Sequence, residues 1–248
     1  MNRGKVVGLV LLSLLVNTAV SAETTLSVGP EVSHITYREE NLPIGTQIID
    51  VKLQGVMYGV RGTLEHTNKV YLAFDGKYSF GQVEYSGTGT IEDINDYMME
   101  LRGLAGYDFP FVVLYSGYGY RYLNNDMEGL ISSTGHYGYE RESTYHYLPL
   151  GIKLKKFPLQ AEIDILLNGE QLSHFETLDQ FAPTLRQKQK RGVGFKASSD
   201  FKGSLFGLET TFGPFIRIWK IQQSEPDFGY IEPKNTSVEV GGAFKIKW

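Results

Sequence analysis

The chain has 248 residues, contains no cysteine, and carries 24 basic against 28 acidic residues. The lack of cysteine excludes disulfides, thiolate metal sites, a catalytic thiol and a lipidated N-terminal cysteine. The mildly acidic balance gives no support to nucleic-acid binding, which needs a basic face.

Residues 1–22 have the pattern of a secretory signal peptide. Two basic residues precede the apolar run Val6–Val16, which is too short to span a bilayer as a helix. Small residues at 20–22 offer a cleavage site, so we expect the mature chain to begin at Glu23. The alternative is an uncleaved anchor or a buried helix. The predicted organisation is therefore a signal peptide followed by one β-barrel domain over 23–248.

The rest of the chain shows the alternation of β-strands. In the clearest segment, Val70–Phe80, the even positions are apolar or glycine and the odd positions are mostly polar. This is the pattern of a strand with one apolar face, and about 11 residues are enough for a tilted strand to cross a membrane. Similar patterns predict ten strands, at roughly 24–37, 51–65, 69–81, 96–108, 111–123, 144–155, 159–169, 188–199, 204–220 and 237–248.

The second predicted strand changes phase along its length. Val51 and Leu53 are apolar at odd positions, whereas Val56 and Val60 are apolar at even positions. One extra residue reverses the facing of a strand, so we interpret the change as a β-bulge near Gly55.

The links between predicted strands alternate between short and long. Short links are predicted at 66–68, 108–110, 156–158 and 200–203, and long links at about 38–50, 82–95, 124–143, 170–187 and 221–236. Transmembrane barrels alternate in this way because their periplasmic turns are short and their external loops long. The predicted fold is all-β, a closed antiparallel transmembrane up-and-down β-barrel of about ten strands. The alternative is a soluble sandwich or lipocalin-like barrel, whose apolar face would point to a packed core.

The last predicted strand carries a family resemblance. It alternates apolar residues and ends with Phe244, Ile246 and Trp248, and it resembles the closing strand by which the assembly machinery recognises bacterial outer-membrane proteins. The commoner terminal residue of that family is Phe. Segments 213–219 and 232–236 also resemble an uncharacterised family of proteobacterial outer-membrane barrels, and the layout is loosely similar to ten-stranded Opc-type adhesins. The resemblance implies export to the periplasm, location in the bacterial outer membrane, and contact with lipid, lipopolysaccharide and the assembly machinery.

No catalytic residue, metal site or cofactor is predicted. Omptin proteases of this barrel class use Asp-x-Asp and Asp-x-His pairs, and outer-membrane phospholipases and deacylases use a His and a Ser two residues apart. Neither spacing occurs in this chain, and no pair of histidines has a metal-ligand spacing. Whether the protein is an enzyme stays open, and the sequence favours a protein without enzymatic activity.

Charged residues on the polar strand faces form the remaining candidate site. Charges inside a small barrel must be paired. A barrel of ten strands is close in size to the small barrels whose interior is filled by side chains. We therefore expect a mostly plugged lumen, with a narrow conducting pore as the alternative. The predicted lumen network and candidate pore lining comprises Asp75, Lys77, Glu100, Arg102, Lys153, Lys155, Glu162, Asp164, Lys196, Glu209 and Arg217, with Glu239, Lys245 and Lys247 on the same face.

External loops are the expected contact sites of such a barrel. The 124–143 loop contains Tyr137 and Tyr139, and the 170–187 loop contains Phe175 and Phe181; exposed aromatics are effective binding anchors. The first hypothesis is a structural or adhesin-like surface barrel whose loops bind an extracellular ligand. The second is a narrow channel for small solutes, and the third, disfavoured one is a membrane-embedded hydrolase.

Overall fold

The computed structural model describes residues 23–40, 42–44, 47–179 and 181–248; the predicted signal peptide lies outside the described residues. The elements are β1 (Glu23–Glu39), β2 (Leu42–Ile44), β3 (Gln47–Ile49), β4 (Lys52–Asn68), β5 (Val70–Ser86), β6 (Thr90–Asp108), β7 (Val112–Asp126), β8 (Glu140–Leu154), β9 (Leu159–His174), a 3-10 helix (Phe175–Thr177), β10 (Thr184–Gln189), β11 (Gly192–Ser199), β12 (Phe201–Leu205), β13 (Leu208–Ile221) and β14 (Asn235–Lys247). No helix within these ranges is long and apolar enough to cross a membrane.

The strands form a closed antiparallel barrel with ten wall positions. β1 pairs with both β14 and β4, and the wall then follows chain order through β9 to β13 and β14. The eighth position holds β10 and β11 in series, and both pair with β9. Leu26 and Trp248 exchange backbone hydrogen bonds of 3.0 and 2.8 Å where the barrel closes. The predicted closed up-and-down barrel is therefore confirmed. We call the end that holds Glu23 and Trp248 the termini end, and the opposite end the loop end.

The barrel exposes its apolar residues and buries its charged ones. Phe74 and Ile163 are 54% and 50% exposed on the outer face. Asp75 and Glu162, their neighbours in sequence, are 4% and 1% exposed on the inner face. Soluble proteins do not expose contiguous apolar surface of this extent. The alternative of a soluble sandwich or lipocalin-like barrel is therefore wrong.

The predicted bulge near Gly55 is also wrong. Gly55 pairs in unbroken register with Ile35 of β1 and Val83 of β5. Leu53 lies inside the barrel, whereas Val56 lies outside. The strands continue past the apolar outer band towards the loop end, and there the apolar side chains turn inward. The inner cluster comprises Ile35, Leu53, Met57, Val83, Ile91, Ile94 and Met127.

The long loop predicted at 82–95 is instead the tip of a long hairpin. β5 continues to Ser86 and β6 begins at Thr90, so only three residues connect them. The register between these strands shifts between Val83 and Tyr85, and Asp93 has a positive φ of 57°. The segment is polar on its outer face because it lies beyond the apolar band, and this polarity resembles that of a loop.

The predicted strand 204–220 is divided by a turn at Phe206 and Gly207. β12 pairs with the start of β13, with Phe201 opposite Phe212 and Leu205 opposite Leu208. The resulting hairpin extends the wall at the termini end, and Phe206 at its tip is 95% exposed. The short link predicted at 200–203 is therefore mostly part of β12.

Candidate functional site

A chain of buried ion pairs crosses the lumen. Arg61 Nε donates to Glu31 Oε2 at 2.5 Å, and its Nη1 donates to Asp75 Oδ1 at 3.1 Å. Arg102 continues the chain, with Nη2 at 3.2 Å from Asp75 Oδ1 and Nη1 at 2.7 Å from Glu162 Oε1. All five residues are buried. Each charge has a partner of opposite sign, which offsets the cost of removing it from water.

The chain extends at both ends. Lys77 Nζ lies 2.7 Å from Glu31 Oε1 and also pairs with Glu239. At the other end Tyr115 Oη donates to Glu162 Oε2 at 2.9 Å. Together these contacts connect side chains from seven strands, so the layer crosslinks the interior of the barrel as well as filling it.

A second buried group lies next to this layer, towards the loop end. Arg217 and Tyr147 both donate to Glu100. The Tyr147 ring packs edge-to-face against Trp219, with the ring centroids 5.3 Å apart. Asp164 is fully buried beside this group, and neither of its carboxylate oxygens has a hydrogen-bond partner among the described residues. The aromatic pair and the Glu100 group occupy the lumen above the ion pairs.

The structure brings together most of the residues that we expected in the lumen. The buried ones are Asp75, Lys77, Glu100, Arg102, Glu162, Asp164, Lys196 and Arg217, with Glu239 beside them. Their role as a pore lining stays a prediction.

Three of the expected residues lie outside the packed interior: Lys153 and Lys155 line the wider part of the lumen at the termini end, and Glu209 lies outside the lumen. Lys153 and Lys155 are partly exposed near the termini end, where Lys153 pairs with Glu65 at 2.7 Å and Lys155 pairs with Asp108. The side chain of Glu209 is 73% exposed on the β12–β13 hairpin. Because this hairpin projects beyond the closed wall, its polar face borders solvent instead of the packed interior.

The sequence analysis missed Glu31 and Arg61, which are central to the ion-pair layer. Val32 and Val60 are exposed on the outer face. Since successive side chains in a strand face opposite sides, each neighbour of these valines must point inward. That alternation was a usable signal for both charged residues.

On the termini side of the ion-pair layer, the lumen widens into a cavity of about 740 Å³. We call this cavity the vestibule. Its floor includes Arg61, Asp75 and Arg102, and its wall includes Lys153 and Lys245. Pockets that bind small molecules typically measure about 300–1,000 Å³, so the vestibule has the size of a ligand site.

The loop end is closed by a buried polar cluster around Glu232. Tyr37 Oη and Gln171 Nε2 each donate to a Glu232 carboxylate oxygen at 2.6 Å. Arg141 Nη2 lies 2.8 Å from Glu232 Oε1 and 3.2 Å from Glu39 Oε1. Burial raises the pKa of Glu232 to about 7; Arg141 opposes this rise, whereas the negative charge of Glu39 adds to it. The segment 222–234 is thus tied to β1, β8 and β9.

The loops pack on one another above this cluster. The Tyr139 ring packs edge-to-face on Phe175 with centroids 4.6 Å apart, and Phe175 packs similarly on Tyr230 at 5.8 Å. The 127–139 segment contacts the β5–β6 hairpin through Thr134 Oγ1, which donates to a backbone carbonyl at 2.6 Å. We call these packed loops the cap.

The cap presents exposed apolar side chains to solvent. Phe181 is 86%, Phe228 74% and Tyr137 67% exposed. Ile131 and Tyr230 are also more than half exposed. The predicted loop aromatics therefore divide into packed ones, such as Phe175, and exposed ones.

The histidine at the end of β9 is the nearest approach to a catalytic group. His174 Nδ1 lies 2.8 Å from Glu176 Oε1, and Nε2 lies 3.2 Å from Glu142 Oε2. The adjacent Ser173 is buried and donates to Gln187. Because carboxylates contact both ring nitrogens, His174 is not placed to activate a serine hydroxyl as hydrolases do.

The apolar exterior around a charged, hydrogen-bonded interior defines a membrane-spanning up-and-down β-barrel, and this chain belongs to that class. No family model and no curated protein matches it.

Among solved structures, the chain is similar to the translocator domain of the autotransporter NalP from Neisseria meningitidis, at 13% identity over 95% of this chain and 92% of that chain, with a TM-score of 0.43. It is similar to Neisserial surface protein A at 8% identity, over 92% of this chain and 100% of that chain, with a TM-score of 0.35. A mutant of the TodX monoaromatic hydrocarbon channel matches at 8% identity over 95% of this chain and 93% of that chain, with a TM-score of 0.34. With all three TM-scores below 0.5, these likenesses carry no inference about activity. None of the three is an Opc-type adhesin, and that resemblance stays a prediction.

Proposed function

We propose that the protein is a bacterial outer-membrane β-barrel with a structural or adhesin-like role, and that the cap contacts an extracellular ligand. The apolar outer band would face outer-membrane lipid and lipopolysaccharide. Phe244 and Trp248, exposed at the closing strand, and the neighbouring Ile246 would present the signal for the assembly machinery. The observation that carries the proposal is the blocked middle of the lumen, where buried ion pairs and the Tyr147–Trp219 pair lie between the two ends; the accessible functional surface is then at the ends of the barrel.

The cap is suited to recognition for a physical reason. Its loops are held by the Glu232 cluster and by aromatic packing, so its exposed side chains are presented on an ordered support. Ordered aromatic residues bind with a small loss of conformational entropy, and they are common anchors in interfaces. The exposed Tyr137, Phe181 and Phe228 are the residues that we expect to contact a ligand.

A binding assay tests this proposal directly. Protein in phosphatidylcholine nanodiscs is applied to a panel of immobilised extracellular-matrix proteins and sulfated glycans. We expect binding that is lost when Tyr137, Phe181 and Phe228 are all replaced by Ser. The control is Phe206→Ser, which removes an aromatic side chain that is even more exposed, at 95%, from the termini end. Binding that survives the triple substitution, or a complete lack of binding across the panel, would contradict the adhesin-like role.

A narrow channel for small solutes is the second candidate, and the vestibule is the observation that favours it. The ion pairs and the Tyr147–Trp219 pair separate the vestibule from the loop end. We therefore expect no conductance steps from the inserted protein in a planar bilayer. We expect steps from the triple variant Arg102→Ala, Tyr147→Ala, Trp219→Ala, because it opens both the ion-pair layer and the aromatic pair. Steps from the unmodified protein would place the channel ahead of the surface role.

A further inference from the structure

The vestibule is cationic in a protein that is acidic overall. The chain has 24 basic and 28 acidic residues, yet the vestibule is lined by nine cationic side chains and five carboxylates. The cations are Arg61, Arg102, Lys153, Lys155, Lys156, Lys196, Lys202, Lys245 and Lys247; the carboxylates are those of Glu23, Glu65, Asp75, Asp108 and Asp200. A cleft with an excess of one sign of charge concentrates ions of the opposite sign.

The carboxylates of the vestibule are already paired. Asp75 lies between Arg61 and Arg102 in the ion-pair layer. The four carboxylates of the wall each contact one lysine: Glu65 contacts Lys153, Asp108 contacts Lys155, Asp200 contacts Lys245, and Glu23 contacts Lys247. Three lysines of the lining remain without an ion pair among the described residues: Lys156, Lys196 and Lys202.

Lys196 is the informative member of this group. It is only 6% exposed, and it lines the vestibule. In the sheet it lies opposite Glu162, but that carboxylate is bonded to Arg102 and Tyr115. Within the described ranges, Lys196 has neither an ion pair nor a side-chain hydrogen bond. The Lys196 side chain is largely enclosed and its ammonium group faces the vestibule without a counter-charge, so an anion in the vestibule would supply the missing charge.

We propose that the vestibule binds the phosphate or carboxylate group of a small anionic solute that enters from the termini end. Lys196 contacts the oxyanion at the deep end of the cavity, and Lys156 and Lys202 attract it at the mouth. Lysine is a common ligand of phosphate groups. The cavity is also lined by Leu104, Val113 and Phe215, which can pack against an apolar portion of the solute. The site lies at the opposite end from the cap and does not depend on the proposed role of the cap.

Calorimetric titration with inorganic pyrophosphate tests the site. The protein is held in phosphatidylcholine nanodiscs. Heat-modifiable electrophoretic mobility, the difference in migration between unheated and heated samples, confirms that each variant is folded. We expect saturable binding, with the Kd raised about tenfold by Lys196→Met, because a hydrogen bond to a charged group is lost. The double variant Lys156→Gln, Lys202→Gln should raise the Kd about threefold, because removing charges at the mouth weakens long-range attraction. The matched control, Lys188→Gln with Lys220→Gln, removes two exposed lysines near the loop end and should leave the Kd unchanged.

The outcomes separate clearly. Absence of saturable binding, or equal Kd values for the control and both vestibule variants, would overturn the proposal. If Lys196→Met does not fold, the double variant still decides, because Lys156 and Lys202 are exposed.

Repeating the titration in phosphatidylglycerol nanodiscs distinguishes two sources of the anion. Competition by the lipid would assign the site to a lipid headgroup, and undiminished binding would assign it to a free solute.

Discussion

Replacing Arg102 by Met tests whether the ion-pair layer holds the barrel together. The guanidinium contacts Asp75 at 3.2 Å and Glu162 at 2.7 Å, and Met keeps much of its volume without its charge. Removing one partner of a buried ion pair costs about 3–5 kcal/mol. Asp75 keeps its contact with Arg61, and Glu162 keeps its hydrogen bond from Tyr115. We therefore expect a loss near the lower limit, about 3 kcal/mol of the free energy of unfolding.

The measurement is urea unfolding of the protein in phosphatidylcholine vesicles, followed by the fluorescence of the buried Trp219 in a Trp248→Phe background, which removes the second tryptophan. Lys155→Met is the matched control, because the side chains of Lys155 and its partner Asp108 are 39% and 13% exposed. A partly solvated pair of this kind contributes about 1 kcal/mol or less. If both variants lose the same free energy of unfolding, the buried layer contributes no more than a surface pair, and the argument for a crosslinked interior is refuted.

Three further predictions concern the outer face, the buried acid and the cap. Phe74→Arg should destabilise the inserted barrel by about 2–4 kcal/mol, because it places a charge in the lipid-facing band, whereas Phe206→Arg at the exposed hairpin tip should change little; equal urea midpoints would mean that the facing is wrong. Asp164→Asn should raise the free energy of unfolding by about 1–3 kcal/mol, because a neutral carboxamide costs less to bury than a carboxylate; a lower urea midpoint would contradict this. The pKa of Glu232 is raised to about 7 from its usual 4.5, so the folded cap holds a proton that the unfolded segment releases, and cap stability should fall as the pH rises from about 4.5 through 7. Proteolysis within 222–234 should therefore be faster at about pH 8 than at about pH 5 in the unmodified protein. Glu232→Gln, digested with the same protease, should lack this increase. An identical pH dependence in both proteins would exclude Glu232 as the cause.

The sequence predicted the facing of side chains correctly in those parts of the barrel where one face of each strand contacts lipid and the other faces the lumen. There the alternation is strict, as in β5, where Phe74 faces outward and Asp75 inward. It failed where the wall leaves the apolar band. At Leu53 and Val83 the apolar side chains lie inside. The inner face of one strand is therefore apolar near the loop end and polar within the membrane band, and this reversal of polarity was wrongly interpreted as a bulge.

The candidate site was only partly predictable for a different reason. Strand alternation places a residue inside or outside, but it does not show which partner lies across the lumen. The contact of Glu232 with Tyr37 joins residues separated by 195 positions, and it depends on how a loop folds back into the barrel mouth. The absence of an ion-pair partner for Lys196 likewise becomes visible only when both neighbouring strands are in place.

The length of the wall has a consequence for how the cap meets its surroundings. Strands such as β4 and β5 have 17 residues, which at about 3.3 Å per residue and a tilt of about 40° gives a height of about 43 Å. The lipid-facing band of such barrels is about 25 Å tall. The additional wall height lies mainly at the loop end, so the strands hold the cap above the lipid headgroups. A large partner of the kind proposed for the cap would then reach it without displacing lipid headgroups.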